Sequence, residues 1–316
     1  MTVAGDKAKG GGAAGGGAAG ARVEVGGRAL SLSNLDKELW PGTGFTKGAM
    51  IDYYARVAPV LLPHLAGRPI TLRRFPNGVA GASFFEKNCP GHRPPWVETV
   101  TMGDVGYCRV EEEATLVWLA NLAAIELHPT LARWPHLEQP TTVVFDLDPG
   151  APADVVTCAR VALLLRQALG SIGLEAWAKT SGSKGLQVYV PLNHEVGYQA
   201  TKPWSQALAQ ILERSHPDLI VTTQDRSARA GKVLIDWSQN TASKTTVAVY
   251  SLRARPRPTA STPLTWDEVD DAAGSGEATT LVFESDRVLE RIETRGDLMA
   301  PVLEVEQELP GLPAGR

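Results

Sequence analysis

Apolar residues recur along this chain with two different periods, and the two mark different elements. After Thr46, a residue of helix-capping type, Met50, Tyr53, Tyr54, Val57 and Leu61 follow at helical spacing. They predict a helix with a buried aromatic face, ended by Pro63 and the Gly67-Arg68-Pro69 turn. Leu116 to Leu127 is apolar around Trp118, Asn121 and Glu126 and predicts a mostly buried helix, with His128-Pro129 after it. A histidine placed there ordinarily caps the last carbonyls. Ala153 to Gly170 carries Val156, Ala159, Leu163, Leu164 and Ala168 near one side and predicts an amphipathic helix. Pro203 to Arg214, Trp266 to Ala273 and Ser285 to Arg295 predict three more.

Strand-like runs lie between these helices. Two flank the Pro76-Asn77-Gly78 turn. Others are Val143 to Gly150, Gln187 to Pro191, the apolar run into Asp236, and Thr246 to Leu252. The strand at Val143, the helix after it and the next strand predict a parallel crossover. No internal repeat is visible.

The chain has 316 residues, enough for one large domain or two ordinary ones. With 43% hydrophobic and 21% charged residues it has the composition of a globular protein. No apolar run reaches the roughly 18 residues that would predict a membrane span. Residues 1–22, mostly Gly and Ala, predict a flexible tail rather than a secretory signal. Cys89, Cys108 and Cys158 are odd in number and widely spaced, which predicts a reduced, cytoplasmic protein with no metal-type cysteine pair. The net charge of −4 argues against a protein that coats nucleic acid with its whole surface, and leaves room for a local basic patch.

Such a patch lies at 68–93. Arg68, Arg73, Arg74, Lys87 and Arg93 stand against Glu86, with Phe75, Phe84 and Phe85 between them. Cations for phosphate and rings for stacking are what a nucleic-acid end needs. A solvated hairpin with one buried Phe gives the same pattern. The strand Val143 to Gly150 ends in Asp146 and Asp148, two apart and so on one face. Paired carboxylates invite a hard divalent ion between them, although Asp, Pro and Gly also make turns. Thr180-Ser181-Gly182-Ser183-Lys184-Gly185-Leu186 has the small residues and lysine of a phosphate cradle, or of an ordinary turn, and is not a Walker loop. A second apolar strand ends in Asp236, with Arg229 before it and Arg253 after the next strand-like run. Three carboxylates, a Gly-Ser-Lys loop and flanking arginines together make a design for nucleotidyl transfer with two ions.

These residues resemble the polymerase domain of bacterial ligase D, in the archaeo-eukaryotic primase superfamily. The resemblance runs from about Arg28 to Pro301. It rests on Ser33-Asn34-Leu35-Asp36-Lys37, Arg73-Arg74-Phe75-Pro76-Asn77-Gly78, Phe84-Phe85-Glu86-Lys87, Asn121 to Pro129, Phe145 to Gly150, Ser181 to Pro191 and Asp236 to Asn240. It implies a mixed α/β primase-polymerase core, β-sheets flanked by helices, over residues 23–303, with tails at 1–22 and 304–316. With no nuclease or ligase segment after it, the chain resembles a free-standing relative.

The resemblance also implies DNA-dependent synthesis that favours ribonucleotides, uses manganese or magnesium as two ions, and fills gaps or extends ends in non-homologous end joining. The catalytic and metal-holding aspartates fall on Asp146, Asp148 and Asp236. Nucleotide contacts fall on His128, Ser181, Lys184, Gln187, Arg229, Gln239 and Arg253. The DNA 5′-phosphate pocket falls on Lys37, Arg73 and Arg74, with Phe84 and Phe85 near the DNA. Nucleoside triphosphates, gapped or broken DNA, the end-binding Ku protein and a separate ligase are the implied partners, at the nucleoid and with no membrane.

Two positions depart from the family. Gln187 stands where the family carries a histidine, which predicts weaker nucleotide binding with the chemistry retained, and His128, Lys184 or Arg229 as the compensating cation. Arg73 stands where the family carries lysine, which keeps phosphate affinity and changes its geometry. Two rival readings are a module that only binds 5′-phosphorylated DNA ends and a metal-dependent nuclease.

Overall fold

The computed structural model describes residues 20–311. Two hairpins open the chain: β1 (Ala21–Val25) with β2 (Arg28–Leu32), and β3 (Glu38–Trp40) with β4 (Phe45–Thr46). Ala21 and Arg22, expected in the tail, already pair with Leu32 and Ser31; the rest of that tail lies outside the described residues. Helix α1 (Lys47–Leu65) starts where Thr46 accepts the Ala49 amide at 3.2 Å. It ends at Leu65, with Pro63 inside the last turn and the expected Gly67 turn (φ 72°) just beyond it. Its apolar side buries Met50, Tyr53, Tyr54, Val57 and Leu61.

A five-stranded antiparallel sheet follows: β5 (Ile70–Arg74), β6 (Phe84–Glu86), β7 (Thr99–Met102), β8 (Val105–Cys108) and, beyond α2 (Glu113–Asn121), β9 (Ala124–Pro129). Strand β5 pairs with β6 and β8 on one edge and β9 on the other. The helix expected over 116–127 therefore divides. It stops at Asn121, Ala123 reverses the chain at φ 57°, and 124–129 is a strand. Ile125 and Leu127 alternate there with Glu126 and His128, a period of two hidden by the apolar run before it. His128 is thus a strand residue, not a helix cap.

The second sheet has six strands in the order β13-β14-β10-β12-β11-β15. They are β10 (Thr142–Pro149), β11 (Trp177–Thr180), β12 (Leu186–Pro191), β13 (Ile220–Val221), β14 (Val233–Asp236) and β15 (Pro263–Leu264). Helix α3 (Val155–Ser171) links β10 to β11, and α4 (Tyr198–Ser215) leads to β13. The expected parallel crossover from Val143 to the next strand read in the sequence, Gln187–Pro191, is not formed. That strand is β12, and it pairs antiparallel with β10. The reason is that β11, unread in the sequence, comes first after α3, runs in the direction of β10 and lies on the far side of β12. All pairs in this sheet are antiparallel except β13 with β14. Helices α5 (Trp266–Ser275) and α6 (Ser285–Arg295) close the fold.

Residues 246–252 do not form the expected strand. Their amides reach β9 at two points, Thr246 to Pro129 O and Ala248 to Leu127 O, before Tyr250 turns away at φ 63°. Cys89 and Cys108 are also not separate thiols; they are joined in a disulfide that ties the segment after β6 to β8. The sheet meander brings them together, with the Cys89 amide donating to Gly106 O. Cys158 is free and buried. Within 304–311, expected as tail, Gln307 bonds Leu192, Pro191 and Glu175, and Pro310 O accepts from the Trp204 indole. Among the described residues no helix is long and apolar enough to cross a membrane.

Candidate active site

The strand order of the second sheet sets one row of side chains across four strands. Asp146 on β10 lies directly opposite Asp236 on β14 and Gln187 on β12, and Gln187 lies opposite Lys179 on β11. Directly opposed residues share a face with side chains about 5 Å apart. The row therefore reads Asp236, Asp146, Gln187, Lys179. Asp148, two residues beyond Asp146, points to the same face.

Each member of the row has a defined partner. Gln187 Nε2 donates to Asp146 Oδ1 at 3.1 Å, and Gln187 Oε1 accepts from Lys179 Nζ at 2.6 Å. The amide has only this orientation available, because its oxygen must face the ammonium and its nitrogen the carboxylate. Lys179 is fully buried and also donates to Ser261 Oγ (2.7 Å) and Val247 O (3.1 Å). Burial holds its pKa well below the usual lysine value, against the pull of Asp146. The cation beside Gln187 is thus Lys179, which the sequence did not single out. None of His128, Lys184 or Arg229 hydrogen-bonds Gln187.

Burial, with the charges of Asp236 and Asp148 adding to it, pushes Asp146 up to about 6; the Gln187 hydrogen bond and Lys179 oppose the shift. Asp236 accepts from the Ser238 amide at 3.0 Å and from Gln239 Nε2 at 2.9 Å. Asp148 is more than half exposed and meets Arg229 Nη1 at 3.5 Å, while Arg229 also donates to Gln224 Oε1 at 2.6 Å. An all-oxygen donor set and mutual carboxylate repulsion suit a hard divalent ion. Among the described residues, however, no three acidic, His or Cys side chains converge as a ready-made metal cage. Asp148 and Asp236 are turned to their own polar neighbours, so the chemistry fits and a three-carboxylate cage is not assembled.

An open cleft of about 310 Å³ lies over the middle of the row, at Asp146 and Gln187, and is of the size that takes a small organic ligand; Asp236 and Lys179 do not line it. Asp146, Asp148, Gln187, Ser181, Lys184, His128, Gln239 and Arg253 all line it. The Ser181–Gly185 loop is closed on itself: Ser181 Oγ accepts the amides of Ser183 and Gly185, and Arg253 Nη1 donates to Ser181 O at 2.8 Å. Gly185 packs so tightly that a Cβ there would strike Leu147 O, which seats the loop against the carboxylate strand. Lys184 is exposed at the mouth and has no hydrogen-bond partner among the described residues.

The basic arm borders the same cleft. Arg73 and Arg74, neighbours on β5, leave opposite faces of the sheet. Arg73 lies over the rings of Phe75 (5.0 Å) and Phe85 (5.3 Å), and Phe85 meets His128 edge-on at 5.8 Å. Arg74 lies over Phe84 and bonds Glu86 and Leu122 O, both at 2.9 Å. Lys37 donates to Pro76 O and Asn77 Oδ1. The three cations expected to share a phosphate pocket are therefore anchored separately, with Arg73 on the cleft side. Phe84 and Phe85 are 45% and 61% exposed, unusual for large apolar side chains and suited to stacking.

Glu126, read in the sequence only as part of a buried helix, is also a site residue. It is buried on β9 between Arg73, His128 and Arg253. Burial alone would raise its pKa; the His128 hydrogen bond and the Arg253 charge bring it down to about 2. Burial lowers that of His128, against the pull of Glu126.

A family model described as the LigD primase-polymerase domain matches residues 46–299. The chain is 42% identical over 279 residues to the multifunctional non-homologous end joining protein LigD of Mycolicibacterium smegmatis, covering 86% of this chain and 36% of that protein. It is 32% identical over 268 residues to the bifunctional non-homologous end joining protein LigD of Bacillus subtilis, covering 84% of this chain and 43% of that protein. The chain thus spans well under half the length of these relatives. Among solved structures, it resembles the polymerase domain of Mycobacterium tuberculosis ligase D in complex with DNA, with a TM-score of 0.80 and 41% identity over 88% of this chain and 99% of that one.

Proposed function

Because the chain belongs to the ligase D primase-polymerase family, we propose that it is a DNA-dependent nucleotidyltransferase that fills gaps or extends ends during non-homologous end joining, with a preference for ribonucleotides. One observation carries this reading: Asp146 and Gln187, the middle of the Asp236–Asp146–Gln187–Lys179 row, open together with Asp148 onto a cleft lined with Ser181, Lys184, His128 and Arg253. Carboxylates and phosphate-binding cations face one another across a space of nucleotide size.

Asp146, Asp148 and Asp236 would hold two manganese or magnesium ions, Asp148 and Asp236 first releasing Arg229 and the Ser238–Gln239 turn. Bound there, the ions supply Lewis-acid stabilisation of phosphoryl charge. The chain's own groups do the positioning. Lys184 and the backbone of its loop take the terminal phosphates. Arg253, Arg229 and His128 spread positive charge and donors around the triphosphate. Gln187, neutral and fixed, holds Asp146 rather than attracting phosphate. Phe84 and Phe85 stack on DNA bases, and Lys37, Arg73 and Arg74 supply positive charge to the DNA end with its 5′-phosphate, Arg73 from the cleft side and Arg74 from the opposite face of β5. Ku and a separate ligase are the partners that this chemistry calls for, before and after the gap is filled.

The test is primer extension on a gapped duplex with a distal 5′-phosphate, with ribonucleotides and deoxyribonucleotides in separate reactions. Asp148→Ala should abolish extension while leaving gapped-DNA binding largely intact. Extension by that variant at the wild-type rate would remove the mechanism. Shortened rather than lengthened strands would identify a nuclease.

A further inference from the structure

Glu126 joins the two halves of the site. Its Oε1 is shared by Arg73 Nη1 at 3.5 Å, Arg253 Nε at 3.3 Å and the Ala254 amide at 3.1 Å, and its Oε2 meets His128 Nε2 at 3.0 Å. Arg73 comes from β5, which pairs with the strand carrying Phe84 and Phe85. Arg253 and His128 line the nucleotide cleft. The Phe85 ring closes the circuit, lying against both Arg73 and His128. Among the described residues, a carboxylate only 2% exposed is thus the one acceptor common to a DNA-side cation and two nucleotide-side groups.

We propose that Glu126 is a positioning residue that couples the DNA-side arm to the nucleotide cleft, so that Arg73 governs nucleotide binding without touching the nucleotide. This rests on the polymerase reading above. The physical reason is that one buried negative charge is divided among several donors. If one donor leaves, the charge falls on those that remain and offsets more of their positive potential. If the charge itself is removed, that potential rises, but the guanidinium and imidazole lose the acceptor that aims them.

Two measurements follow. The first is calorimetric binding of a ribonucleoside triphosphate with Mn2+ and no DNA. Arg73→Ala should weaken binding about threefold to tenfold, and should have no effect when added to Glu126→Gln, because the shared charge has gone. The second is gap filling by Glu126→Gln. Turnover should fall about tenfold or more while the nucleotide KM stays at or below the wild-type value, the signature of lost aim rather than lost affinity. General damage to the fold would instead worsen both. Arg73 is one-third exposed, so its variant folds and carries the first test even if Glu126→Gln does not. Unchanged binding in Arg73→Ala would overturn the coupling, as would Glu126→Gln with wild-type turnover. A wild-type protein that neither binds nor incorporates nucleotide would overturn the polymerase reading and the coupling with it; normal wild-type activity with independent variants would overturn the coupling alone.

Discussion

Lys179→Met is the most informative single change in the row. Methionine keeps most of the side-chain volume and removes the ammonium. Three hydrogen bonds go with it, to Gln187 Oε1, Ser261 Oγ and Val247 O. Each buried acceptor left without its donor costs about 1–3 kcal/mol. Against this, the ammonium carries a desolvation penalty of several kcal/mol that methionine does not. The two terms are of similar size, so global stability should change by no more than about 2 kcal/mol, or a few degrees in Tm.

The effect on the site has no such offset. Without the ammonium, the Gln187 oxygen keeps only the longer hydrogen bond from the Tyr189 hydroxyl at 3.5 Å, and the hold on Asp146 loosens. Losing a hydrogen bond to a charged group costs about 1.5–3 kcal/mol, which is roughly a ten- to hundredfold drop in kcat/KM. The assay is steady-state gap filling across a Mn2+ titration, with thermal unfolding run in parallel. The expected result is near-wild-type Tm, reduced kcat/KM and a raised half-saturating Mn2+ concentration. Wild-type turnover and metal dependence in a folded Lys179→Met protein would refute the argument that Lys179 orients the site through Gln187.

Two further predictions concern charge. Asp146 titrates near 6 in the fold against a usual value of 3.8, so the folded state holds the proton more tightly than the unfolded chain. Its contribution to stability is greatest at low pH and is lost as pH rises through about 6. A divalent ion should offset that loss, so Mn2+ should raise Tm more at about pH 7.5 than at about pH 5; equal increments in thermal-shift measurements would contradict this. Arg74 is anchored to Glu86 and Leu122 O on the face away from the cleft, so Arg74→Ala should cost about 1–2 kcal/mol of stability in urea unfolding and leave nucleotide affinity without DNA unchanged. A weakened nucleotide Kd in that variant would mean the two arginines are not segregated.

Much of the molecule was legible in the chain because its signals are local. The helices α1, α3 and α5 follow from apolar spacing, and Thr46 accepts the expected amide bond; Asp154 and Thr265, not named as caps in the sequence, cap the other two in the same way. The strand ending in Asp146 and Asp148, and the one ending in Asp236, follow from apolar runs meeting carboxylates. The Ser181–Gly185 loop follows from its small residues. Where local signals overlapped, they misled: Glu126 and His128 looked like the end of a helix, since the strand that pairs with them, β5, lies about fifty residues earlier.

What only the tertiary structure decided is which charges are buried together. Lys179 sits in an unremarkable Trp-Ala-Lys-Thr run and Glu126 in an apolar one; His128 lies two residues from Glu126, but nothing near either residue in sequence names the partners on other elements. A buried ion is tolerable only when distant strands deliver its counter-groups. Here the order β14-β10-β12-β11 delivers Gln187 and Asp146 to Lys179, while the pairing of β5 with β9 delivers Arg73 to Glu126 and the docking of 253–254 onto β9 delivers Arg253. Strand order is set by the packing of the whole core rather than by any stretch of chain. The sequence by itself therefore named the candidate groups for the proposed chemistry, because each sits in a local pattern, and the fold determined which buried groups lie against them.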